Sequence, residues 1–478
     1  MRLEVRTVRR TIPAPEPLSA FQTLAARYGA DQVCLLESAA GPADDCSQHL
    51  VAFGEVLAVS VTRGLVEITG GEPLRDLVLG RTAGLVDGLS RLRDGVSPWD
   101  LARSVQELFD AETGPHGFDF GFVGYFGYDT ARYLENLPYL IEQEPDLPEV
   151  HLVLYRGLLR CPLGSGRAEL LLHESEAWPA RDDPGLAEAL AAVPSGHAAS
   201  AGRVREAVGD TTRDTYVANV EKCLGHIAVG DIYQVVVGHE LAFRSEADPV
   251  DVYRRLRERN PSPYMYLAPL PGGRTLVGAS PELFVRVEDG TAVMRPLAGT
   301  LQAGPDDETA AARLSSDEKE IAEHVMLVDL CRNDISRICA TDTLNVPELL
   351  AVERYGRVLH LVSTVAGEVL PGRDGYDVIA ALFPAGTMTG APKIRAMEII
   401  EQLETSRRGM YAGALGLVGF GGYLNLALCI RTLVHDGVLY RTRASAGIVA
   451  DSDPGREWAE TLAKASAAHW AVTGRELA

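Results

Sequence analysis

Residues 413–449 read GALGLVGFGGYLNLALCIRTLVHDGVLYRTRASAGIV, a long apolar run broken by Gly421-Gly422 and Asp436-Gly437. Two-residue turns of this composition close hairpins, because their backbone twist matches that of the flanking strands. Consecutive strands joined this way form antiparallel sheet. The same signal recurs upstream, at Asp289-Gly290 in ELFVRVEDGTAVMRPL (282–297) and at Arg63-Gly64 in EVLAVSVTRGLVEIT (55–69). EVHLVLYRGLLRCPL (149–163) adds another strand-like run. Helical patterns intervene near 214–229, 306–331, 374–382, 391–405 and 455–471, without strict strand–helix alternation. The expected class is therefore α+β rather than a doubly wound parallel sheet.

The segment RDDPGLAEALAAVPSGHAASAGR (181–203), rich in Ala, Gly, Pro and Ser, marks a connector over 181–208 between an N-terminal region, 1–180, and a C-terminal region, 209–478. A chain of 478 residues can bury a large core, and both regions are expected in one compact fold. Asp and Glu outnumber Lys and Arg by 66 to 45, for a formal charge of −21, which disfavours nucleic-acid backbones as partners and requires local cations for any anionic substrate. Seven cysteines without a C-x-x-C pair suit a reducing compartment. No apolar run is long enough to cross a membrane, and MRLEVRTVRRTIPAPEP lacks the apolar core of a secretory signal. A soluble, cytoplasmic protein is expected.

Two acidic helices carry the first chemical signal. In SDEKEIAEHVMLVDL (316–330), Ile321, Val325 and Val328 follow helical spacing, and Glu320 and Glu323 share a face. In DSDPGREWAETLAKA (451–465), Glu457 and Glu460 repeat that spacing. Acids at a helix start complement the macrodipole and need no further role. Two such helices facing one another would instead suit a hard cation such as Mg²⁺, which takes oxygen ligands. A third signal is FPAGTMTGAPKIRAMEII (383–400), a Gly/Thr turn running into a helix near Ala391-Pro392. Its amides and the hydroxyls of Thr387 and Thr389 could hold a carboxylate, or the segment could simply be a turn. Nucleotide-binding glycine loops are absent.

These stretches, together with GFVGYFGYDTARYLENLP (121–138), GDIYQVV (230–236), NPSPYMYL (260–267), GASPELFVR (278–286), RPLAGT (295–300), RVLHLVSTVAG (357–367) and CIRT (429–432), resemble the chorismate-utilising enzymes, most closely anthranilate synthase component I. The resemblance covers nearly the whole chain in the family's order. It implies two packed antiparallel sheets with helices outside and a Mg²⁺ site held by Glu320, Glu323, Glu457 and Glu460. It also implies substrate contacts from Tyr411, Arg431, Gly447, Lys464, Gly386 and Ala298, with Glu282 as general acid. His360 would assist pyruvate elimination, and Thr387 would hold the departing hydroxyl.

Where water-using relatives place a Lys, this chain has Gln234, which can orient ammonia but cannot act as a base. Where many aminodeoxychorismate synthases have a nucleophilic Lys, it has Ala298. The resemblance thus implies ammonia attack at C2 of chorismate and, through His360, anthranilate. The same fold also serves aminodeoxychorismate synthases, 2-amino-2-deoxyisochorismate synthases that retain the enolpyruvyl group, and water-using isochorismate or salicylate synthases. An inactive regulatory subunit is the non-enzymatic alternative. No glutaminase module is visible, so a separate glutamine amidotransferase subunit is the expected ammonia source. CLLESAAG and NPSPYMYL resemble a tryptophan-binding allosteric pocket through Ser38, Pro261 and Met265, although CSQHLVAFG stands where an Arg-Tyr-Ser segment is expected. Oligomeric state, and primary against secondary metabolism, are not read from the sequence.

Overall fold

All four turns close hairpins. Asp289 and Gly290 both take positive φ (52° and 73°), as do Arg63 and Gly64, the conformation that a two-residue hairpin of this hand requires. Leu283–Glu288 therefore pairs with Thr291–Met294, Gln48–Thr62 with Leu65–Gly70, Ala414–Gly419 with Leu424–Leu428, and Thr432–His435 with Leu439–Ile448.

This computed structural model describes residues 2–114, 116–142, 147–178, 183–192, 204–304 and 307–477. Its strands form a continuous curled ladder that folds back on itself, antiparallel throughout apart from Leu3–Pro13 beside Phe109–Ala111. N-terminal and C-terminal strands share this ladder. Gly121–Phe126 pairs with Ala414–Gly419, and Val33–Glu37 with Tyr264–Leu270. The run through Arg156-Gly157 stays a single strand, Val150–Pro162, and a Cβ at Gly157 would lie 2.2 Å from the Phe53 ring, so glycine lets the two strands approach. Of the connector expected over 181–208, residues 181–182 and 193–203 lie outside the described residues. The rest comprises the helix Leu186–Ala191 and most of the strand Val204–Gly209, which pairs with Gln234–Ser245.

Helices cover the ladder's outer surfaces. The pattern at 306–331 resolves into Asp307–Leu314 and Glu318–Ser336, because Asp317 accepts hydrogen bonds from the amides of Lys319 and Glu320 and caps a new helix. The buried face of that helix runs through His324, Leu327, Val328, Cys331 and Ile335, while Val325 is 40% exposed. The expected Ile321–Val325–Val328 stripe is thus rotated, since packing rather than spacing alone selects the face. Gly375–Leu382 begins with a capping box formed by Asp374 and Asp377, Lys393–Leu403 follows Pro392, and Pro454–Thr473 is capped by Asp453.

Behind the central strands lies a buried ion cluster. Glu404 accepts from Arg408, Arg443 and the amide of Gly238. Burial raises its pKa, but the two guanidinium groups more than offset this and hold it below its ordinary value. Its stabilising contribution is therefore complete above the ordinary carboxylate range and is lost as pH falls through the depressed pKa. Glu404→Ala leaves the buried Arg408 without its carboxylate partner and Arg443 with only Asp210 at 3.5 Å, and is expected to cost about 3–5 kcal/mol, read from urea unfolding at pH 7. A loss below about 1 kcal/mol would remove the cluster from the account of stability.

Candidate active site

Each candidate side chain reaches the site from a different strand end or helix. Glu282 stands at the start of Leu283–Glu288, anchored by its carbonyl, which accepts from the Leu428 amide at 3.0 Å. The Thr387 hydroxyl donates to its Oε1 at 3.2 Å. Burial pushes its pKa up to about 7, against the opposing influence of Thr387, Arg431 and Lys464. A carboxyl group so placed keeps its proton near neutrality and can act as an acid.

Arg431 follows Leu424–Leu428 in a left-handed conformation, φ 51°, unusual for a residue with a side chain. Burial lowers its pKa and the charge of Glu282 opposes that shift, so a cation and an acid face one another. His360 lies on Val358–Glu368, beside the strand that carries Ala298. Its Nδ1 is 2.7 Å from the Gly299 carbonyl, and burial, with a smaller effect from Arg431, pushes its pKa down to about 4. The ring is neutral at pH 7, with its Nδ1 proton donated to that carbonyl. Gly299 also brings in the acidic helix, because a Cβ there would stand 3.1 Å from Glu320 Oε2.

On the opposite wall, Lys464 donates to the Ser445 carbonyl at 3.0 Å and pairs with Glu460 at 2.7 Å. Gly447 leaves room for Gln234, whose Nε2 would lie 2.9 Å from a Cβ there. Gln234 is 8% exposed, and its Oε1 has no hydrogen-bond partner among the described residues. Tyr411 is buried, and Gly386 packs against Leu330. Thr389 does not serve the site, because its hydroxyl is buried and donates to the Ala385 carbonyl. Ser445 is a contact that the sequence reading missed. The alternation Arg443, Ser445, Gly447 along Leu439–Ile448 was its available signal.

The four acidic candidates lie on two helices. Glu320 is raised by burial and by the charges of Glu323, Asp317 and Glu460; Glu457 is raised by burial and by Glu460. Among the described residues no three acidic, histidine or cysteine side chains converge closely enough to hold a metal ion. Glu323 instead pairs with Lys319 at 3.5 Å, as Glu460 does with Lys464. An all-oxygen donor set under mutual repulsion fits a hard divalent cation by its chemistry.

Ser38 and Met265 line a separate cavity with Asp45, Gln48 and Asn425, and Ser38 with Pro261 also lines a neighbouring one. Asp45 there is held by Arg295, Tyr264 and Tyr355. Among the described residues no helix is long and apolar enough to cross a membrane.

A family profile described as chorismate binding enzyme matches residues 86–469. The chain is 58% identical over 487 aligned residues to 2-amino-4-deoxychorismate synthase of Streptomyces globisporus, covering 99% of this chain and 98% of that protein. It is 40% identical to anthranilate synthase component 1 of Streptomyces coelicolor, over 91% of this chain and 88% of that one. The crystal structure of anthranilate synthase component I from Streptococcus pneumoniae TIGR4 superposes with a TM-score of 0.71 at 29% identity, covering 88% and 92% of the two chains. With a profile match across most of its length and relatives of this identity, the chain belongs to the chorismate binding enzyme family.

Proposed function

We propose that this enzyme adds ammonia to C2 of chorismate, expels the C4 hydroxyl as water, and releases 2-amino-4-deoxychorismate with its enolpyruvyl group intact. The observation that carries this reading is the 58% identity, over nearly the whole chain, to a protein named for that product. The compound has nitrogen at C2 and no hydroxyl at C4, and so is the same substance as 2-amino-2-deoxyisochorismate. This replaces anthranilate, the main expectation from sequence, with one of its alternatives. On this reading His360, expected from the resemblance to assist pyruvate elimination, is assigned no elimination step.

In the proposed reaction the C2–N bond forms as the two ring double bonds shift and the C4–O bond breaks. Glu282 gives its proton to the departing oxygen, Thr387 steadies both, and the proton shed by the added nitrogen returns to solvent or to Glu282. Arg431 and Lys464 supply positive charge for the substrate carboxylates. Gln234 accepts an N–H of ammonia through Oε1 and orients its lone pair. Ala298 presents no nucleophile, which disfavours a side-chain adduct at C2. Glu320, Glu323, Glu457 and Glu460 would hold Mg²⁺, which when bound offsets the charge of the substrate carboxylate. Ammonia would come from a separate glutamine amidotransferase subunit.

Pyruvate release tests the product. With chorismate, ammonium and Mg²⁺, chorismate should disappear with little pyruvate formed, whereas stoichiometric pyruvate would restore anthranilate as the product. Gln234→Lys places a cation where the amide stood and should admit water as a competing nucleophile, detected as an oxygenated product. If that variant forms none, nucleophile choice lies elsewhere.

A further inference from the structure

One residue on the buried face of Glu318–Ser336 is polar where most of its neighbours are apolar. His324 is fully buried and shares that face with Leu327, Val328, Cys331 and Ile335, and its Nε2 lies 2.7 Å from the Ser363 hydroxyl oxygen. Its Nδ1 has no hydrogen-bond partner among the described residues. A proton on Nδ1 would be a buried donor without an acceptor, which costs more than an unpaired lone pair, so the ring carries its proton on Nε2 and donates it to Ser363. Ser363 is itself held in place. Its Oγ also accepts from the Leu350 amide at 3.0 Å, where Leu350 takes φ 59° at an irregularity in the pairing of Asn345–Tyr355 with Val358–Glu368.

Helical geometry turns this bond into an orientation. Glu320 lies four residues before His324 on the same face, and Ile321 stands in the same relation to Val325. Spacing alone permits the stripe Ile321, Val325 and Val328, yet Val325 is 40% exposed. A turn of the helix by one residue, about 100°, would bury Val325 in place of His324 and put Ile321 where Glu320 stands. In the observed rotation Glu320 Oε2 lies 3.1 Å from the position a Cβ on Gly299 would take, and the Gly299 carbonyl faces His360, on the same strand as Ser363. We propose that His324 is a positioning residue for the acidic helix: its bond to Ser363 fixes the helix's rotation and so holds Glu320 beside Gly299. A buried polar pair in this role selects one arrangement rather than adding much stability. The proposal rests on the metal role given to Glu320 above.

Mn²⁺ shares the preference of Mg²⁺ for oxygen ligands and is paramagnetic, so it reports on the acidic helices without turnover. Its binding, followed by EPR with chorismate present and ammonium left out, should weaken about tenfold in His324→Leu, while urea unfolding remains a single cooperative transition. His324→Gln keeps an amide donor for Ser363 and should restore the Kd. Should the leucine variant fail to fold, Ser363→Ala removes the same bond from the strand side and is expected to weaken Mn²⁺ binding alike. An unchanged Kd in the folded variant, or a loss that glutamine does not reverse, would overturn the positioning role. Absence of saturable Mn²⁺ binding by the unsubstituted enzyme would instead overturn the metal reading of these helices, and the proposal with it.

Discussion

Glu282→Gln is expected to lower kcat about 10³-fold while leaving the KM for chorismate nearly unchanged, because the amide keeps the shape and loses the proton. The Thr387 hydroxyl at 3.2 Å and the nearby charge of Arg431 are the surroundings of this carboxyl, to which we assign the protonation of the leaving oxygen. Its pKa of about 7 gives the pH dependence a sign. With Glu282 in the proposed role of general acid, turnover at a fixed concentration of free ammonia should be highest below that value and fall as pH rises through it. Initial rates measured across that range, with total ammonium adjusted to hold free ammonia constant, check both points. A Glu282→Gln enzyme retaining more than about a tenth of the rate would assign the proton to another group.

The second large effect concerns the acidic helices. Chelation with EDTA should abolish turnover, and Mg²⁺ should restore it. Glu320→Gln should raise the half-saturating Mg²⁺ concentration at least about tenfold, because one donor is lost from the set. Glu320 is the informative member, since its Oε2 lies against Gly299, whose carbonyl receives His360. Full activity in metal-free buffer would return these residues to the role of solvated helix ends.

Much of the fold was legible because its turns are local. Asp289-Gly290 and Asp436-Gly437 announce hairpins from two residues each, and Asp374 and Asp453 announce helix starts. Pairings between distant segments were not, because nothing local states that Gly121–Phe126 lies beside Ala414–Gly419. The exposure of Val325 shows the same limit on a helix, where spacing permits several stripes and tertiary contacts choose one. The site residues were reached through the family's motifs rather than from spacing, for Glu282 alone reads as an ordinary strand-end acid. What the motifs did not convey was that Lys464 donates to the Ser445 carbonyl and that the Thr389 hydroxyl turns to the Ala385 carbonyl, whereas the i, i+4 pairing of Glu460 with Lys464 was open to spacing alone. The first two depend on where a side chain points, which sequence patterns leave open.

The position of the new bond tests the central claim most directly. Chorismate incubated with ¹⁵N-ammonium and Mg²⁺, with no other enzyme present, should yield one product that carries the label at C2 and keeps the enolpyruvyl group, as read by mass spectrometry and NMR. Label at C4, or an unlabelled product hydroxylated at C2, would contradict the account.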